Sequence, residues 1–133
     1  MNRINQIILI GTFIGFSWLG MQAVHELGHV LGAVLTGGKV TTVVLHPLTI
    51  SRTDVHPNPH PLIEVWAGAV VGSLLPLIAL LTANAFRSPG VYLFRFFAGF
   101  CLIANGVYIG AGWLAEEGAD SVVMLHNGSP VWL

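Results

Sequence analysis

The sequence predicts a mainly α-helical integral membrane protein, with a core of three transmembrane helices and a short membrane-associated β-hairpin between spans one and two. Composition is the first reason. Of 133 residues, 54% are hydrophobic and only 8% charged, whereas a soluble domain is nearer a quarter charged. The second is three apolar segments, at about 4–36, 62–83 and 91–114, each with the roughly 20 residues that a helix needs to cross a bilayer core. The third is a change of residue type after the first segment, from helical to Val, Thr and Ile-rich. The length suits a single domain, 1–133.

The first span opens with one arginine and "INQIILIGTFIGFSWLGMQAV". The apolar run is long and no small-residue cleavage site closes it cleanly, which reads as a retained signal anchor. Through Thr36 a helix would reach about 50 Å, so it must tilt, protrude or be sheltered by protein. Gly37-Gly38 should cap its C-terminus. "KVTTVVLHPLTISRTDV" then predicts two strands, Val40–Leu45 and Thr49–Val55, broken at His46-Pro47 and paired as a hairpin. "HPNPHP", His56 to Pro61, is a stiff non-helical connector. Spans two and three contain Gly68-x-x-x-Gly72 and Gly106-x-x-x-Gly110, a spacing that lets helix backbones approach closely in lipid. Pro76 should kink span two.

The net charge is −1 and no basic cluster exists, which excludes a nucleic-acid partner. Arg3, Arg87 and Arg95 fall on one side and Lys39 and Arg52 on the other, too small a bias to orient the chain. Cys101 stands alone, so it makes no internal disulfide and reads as a small buried or lipid-facing hydrophobe. Trp18, Trp66, Trp113 and Trp132 read as interface markers. Glu64 and Arg95, at span ends, are placed to snorkel.

The chemistry lies in "HELGH". On a helix, His25 and His29 project from one face. Two imidazoles at this spacing can hold one Zn²⁺, and Glu26 beside them can take a proton from a water that the metal acidifies. Ionisable residues within a span are expensive to bury and functional by default. Gly28 and Gly32 keep the nearby helix surface low, with room for a substrate backbone. His46, His56 and His60 read as solvated loop histidines rather than a second metal site. The first and third spans end on the same face of the membrane, so the late part of span one can meet the acidic stretch that follows span three.

"HELGHVLGAVLTGGKV" resembles the first conserved helix of the site-2 protease family of intramembrane zinc metalloproteases, with its small-residue helix end, Gly-Gly turn and β segment. "VWAGAVVGSLLPL", Val65 to Leu77, is similar to that family's Ala-Gly-Pro-rich second core helix. Three core helices form the family's catalytic unit, so the resemblance spans about residues 5–125. It implies hydrolysis of peptide bonds within or near the membrane, one zinc per chain, His25 and His29 as ligands and Glu26 as general base. The family's third ligand is an aspartate in an Asn-x-x-Pro … Leu-Asp-Gly motif, absent here in full form. Asp120, in "EEGAD", resembles the variant in short bacterial members, with Glu116, Glu117 and His126 as rivals for the place. Asp120 also suits the N-cap of a helix over Ser121–His126, ended by Asn127-Gly128. Asn105 matches the family's substrate-positioning asparagine. The expected partners are the bilayer and a membrane-protein or peptide substrate, and the expected location is a bacterial cell membrane, as a multi-pass protein. Oligomeric state is left open. The alternative is a metal-binding or scaffold membrane protein on the same fold, without turnover.

Overall fold

The computed structural model describes residues 2–111 and 120–129. They form α1 (Arg3–Leu35), β1 (Val40–Val44), β2 (Arg52–Val55), α2 (Pro61–Ala85), α3 (Val91–Ala111) and α4 (Asp120–His126). The chain is mainly helical, and α1, α2 and α3 are long and apolar enough to cross a membrane. The expected end of span three, 112–114, lies outside the described residues.

The interior inverts the usual distribution. Ser17, Gln22, His25, Glu26, His29, Glu64 and Asn105 are buried, while Ile7, Phe16, Leu35, Phe86 and Ile103 face outward. Buried apolar residues are mostly small, such as Ala33, Ala69, Ala83 and Ala98. Without a large apolar core, close approach of backbones must supply much of the packing. A Cβ at Gly28 would collide with the carbonyl oxygen of Ala67, and one at Gly32 would stand 2.7 Å from the Cβ of Ala67. These two glycines therefore seat α2 against α1; the space expected for a substrate backbone is filled by a helix. Gly68 and Gly72 also work at contacts, against the His29 ring and Asn105, but Gly106 and Gly110 have nothing within 4 Å of a would-be Cβ. Of the two small-residue motifs, only the one in α2 packs within the described residues. Pro76 is buried inside α2 without ending it.

Gly37 follows the Thr36 cap with φ +81, and Gly38 N donates to Ala33 O at 2.8 Å. This left-handed glycine ends α1 and turns the chain back. The strands pair antiparallel, Val40 with Val55, Thr42 with Asp54, Val43 with Thr53 and Val44 with Arg52, with an irregularity at Thr41. They are shorter than the sequence suggests. Leu45 and Thr49–Ser51 belong to the tip, because His46 organises a turn. Its Nδ1 accepts from Leu48 N at 3.2 Å and Thr49 N at 3.1 Å, and its own N donates to Ser51 Oγ at 3.0 Å.

The tip folds back along α1. Trp18 Nε1 donates to Pro47 O at 3.1 Å. Gln22 Nε2 donates to His46 O at 3.2 Å, and its Oε1 accepts from Ser51 N at 2.7 Å. One glutamine thus satisfies two backbone groups that pairing leaves open. It holds the hairpin beside the helix turn that carries His25.

Candidate metal centre

The period of α1 aligns Trp18, Gln22, His25, Glu26 and His29 along one side. His25, Glu26 and His29 are each buried, at 7%, 4% and 5% exposure. The other elements meet this stripe. Asp120, the first residue of α4, brings Oδ2 to 2.9 Å from His25 Nε2 and 3.3 Å from His29 Nε2. His25, His29 and Asp120 offer ligand atoms that all lie within 4.8 Å of one another.

Each ring is fixed from behind. His25 Nδ1 stands 2.6 Å from Asn105 Oδ1, and Asn105 Nδ2 donates to Cys101 O at 2.8 Å. The second bond orients the amide, so its oxygen must face the ring and His25 Nδ1 must be the donor. His29 Nδ1 stands 2.9 Å from Glu64 Oε1 and 3.2 Å from Glu64 O. Both are acceptors, so this Nδ1 also carries a proton. A lone pair is thereby left on each Nε2, aimed at a carboxylate oxygen. Acceptors facing one another require a proton or a metal between them.

Two imidazoles and a carboxylate are a donor set that would suit zinc. Ligand atoms about 2.0 Å from one tetrahedral zinc stand about 3.3 Å apart, and the two contacts to Asp120, at 2.9 and 3.3 Å, match that edge to within about half an ångström. Three carboxylates, Glu26, Glu64 and Asp120, surround two imidazoles, and among the described residues none of them pairs with lysine or arginine. A divalent cation would offset that excess of buried negative charge. With protons on the Nε2 atoms instead, burial pushes the Asp120 carboxyl up, but hydrogen bonds from His25 and His29 outweigh it and hold it at about 2.

Glu26 takes no part in this triangle. Its Oε2 accepts from Thr53 Oγ1 at 2.7 Å, so β2 fixes the carboxylate. Tyr108, one turn beyond Asn105, sets its ring edge-on to His25 with centroids 5.7 Å apart.

One expectation changes here. Glu64, expected to snorkel, is 6% exposed; it turns inward because His29 and Asn58, whose Nδ2 is 3.4 Å from Oε2, face it. Asn105, expected to position substrate, faces the His25 ring in this structure. His126 is exposed in the last turn of α4 and outside the cluster. Glu116, Glu117, Trp113 and Trp132 lie outside the described residues. His46, His56 and His60 are exposed and form no metal cluster among the described residues. Trp18 and Trp66 tie elements together, Trp66 Nε1 donating to Ser129 Oγ at 3.2 Å. Sequence reasoning missed Gln22, Thr53, Glu64 and Tyr108. Glu64 carried a signal, an acid at the head of an apolar span, and Tyr108 shares a helix side with Asn105; nothing local marked Thr53.

Comparison with protein-family models, curated proteins and solved structures gave no match.

Proposed function

We propose that the chain is an integral membrane zinc endopeptidase of the site-2 protease type, hydrolysing peptide bonds within or near the bilayer. The observation that carries the proposal is the convergence of two Nδ1-anchored imidazoles and Asp120 beside a buried, separately held Glu26. The outward faces of α1, α2 and α3 are largely apolar while His25, Glu26, His29 and Glu64 lie inside, as suits a polar site sheltered from lipid.

A zinc ion held by His25, His29 and Asp120 would acidify a water and polarise the scissile carbonyl. Glu26 takes a proton from the attacking water and delivers it to the leaving amine, so that one water and one amide become a carboxylate and an amine. Thr53 occupies Glu26 Oε2, leaving Oε1 for the water. A helical substrate must first unwind, since its amides are shielded by their own hydrogen bonds. The strand edges of the hairpin, unpaired among the described residues, offer backbone partners to the extended segment. Asn105, committed to His25, acts through that ring rather than on substrate.

A metal-holding scaffold without turnover would need neither Glu26 nor its clamp. The test compares wild type with Glu26→Gln in detergent or liposomes, reading both bound zinc and cleavage of an apolar membrane peptide. The expected result is cleavage by wild type and a fall of about 10²–10⁴-fold in the variant, with zinc retained. Undiminished turnover in the variant contradicts the mechanism; zinc-loaded wild type that cleaves no membrane peptide favours the scaffold.

A further inference from the structure

We infer that Glu64 is a positioning residue of the metal centre, a carboxylate that fixes the ring of His29 and strengthens it as a ligand. The inference rests on the metal-binding part of the function proposed above.

Glu64 is placed for this by the chain around it. The connector ends at Pro61, the first residue of α2, and Glu64 lies in the helix's first turn, where the helix dipole favours negative charge. Gly32 lets the two backbones close, since a Cβ there would stand 3.0 Å from Glu64 Cα. The two carboxylate oxygens divide their work. Oε1 meets His29 Nδ1 at 2.9 Å, and Oε2 lies 3.4 Å from Asn58 Nδ2. Glu64 therefore stands behind the imidazole, on the nitrogen that points away from Asp120. It does not compete for the metal. It selects the tautomer, locks the ring plane and makes Nε2 more electron-rich.

The two histidines are thus unequal. His25 is backed by a neutral amide, Asn105, and His29 by a carboxylate. A ligand backed by negative charge binds a divalent cation more strongly, which makes His29 the anchoring imidazole.

The test uses full-length protein in detergent, loaded with Zn²⁺ for affinity by chelator competition and with Co²⁺ for its visible absorption bands. Glu64→Gln keeps a carbonyl acceptor but removes the charge. Its zinc affinity is expected to fall about tenfold, with the cobalt bands near their wild-type positions. Glu64→Leu removes the acceptor as well. Its affinity is expected to fall about a hundredfold, with displaced bands. Wild-type affinity in Glu64→Gln overturns the role of the charge, and that variant decides the matter alone if Glu64→Leu does not purify as a monodisperse species. Equal losses in both variants with unchanged bands assign Glu64 a merely structural part and overturn the inference. Wild type that takes up neither ion is a different result: it overturns the metal centre itself, and the inference with it.

Discussion

Thr53 reaches Glu26 from a different element, and the pair illustrates how this site is assembled. A helix can present a carboxylate beside its histidines, but a rotatable side chain needs an outside partner to stay in one place. The hydroxyl of Thr53, 2.7 Å from Oε2, is that partner. A hydrogen bond to a charged group contributes about 1.5–3 kcal/mol. Thr53→Val should accordingly lower the cleavage rate at least about tenfold, leave bound zinc at the wild-type level, and be largely reversed by Thr53→Ser. An unchanged rate in Thr53→Val would remove the clamp from the account. The histidines and Glu26 were legible in the sequence because helical spacing alone puts His25 and His29 on one side. Thr53 and Glu64 are distant in sequence and join the site only through a strand register and a helix crossing, which local pattern does not encode.

Between elements, glycine decides which helices meet. Gly68-x-x-x-Gly72 and Gly106-x-x-x-Gly110 look alike in sequence, yet the first packs on the site and the second is open among the described residues. An added methyl at Gly68 would strike His29 at Nε2, the atom assigned to the metal. Gly68→Ala should therefore abolish zinc binding and destabilise the bundle by about 1–3 kcal/mol. Gly106→Ala should leave both unchanged within error. Zinc content and thermal unfolding in detergent check both, and equal behaviour of the two variants would contradict the packing described. Gln22 tests the hairpin in the same way. Gln22→Leu deprives His46 O and Ser51 N of their partners, and limited proteolysis should then cut the 45–51 tip sooner than in wild type. The existence of three long helices and a hairpin was legible from composition and residue type. The shorter strands were not, because His46, an exposed loop histidine as expected, also caps its own turn.

Among the described residues of the three long helices, Gln22, His25, Glu26, His29, Glu64 and Asn105 lie inside and most large apolar side chains lie outside. A soluble protein with this distribution would expose apolar patches that drive association; in a bilayer the same faces would meet lipid. Composition therefore pointed to the class, but it was silent on partners inside the bundle. The chain's first long helix and its last described one are brought together by a metal-sized triangle, with Asp120 of α4 reaching both histidines of α1. If this triangle is a metal site, the purified protein should carry the metal. Zinc per chain should be measured in monodisperse, detergent-purified wild type and Asp120→Ala. About one zinc per wild-type chain is expected, as one three-ligand centre requires, with marked loss in the variant. Well-folded wild type without zinc, even after zinc is supplied, would contradict the metal site, as would full retention in Asp120→Ala.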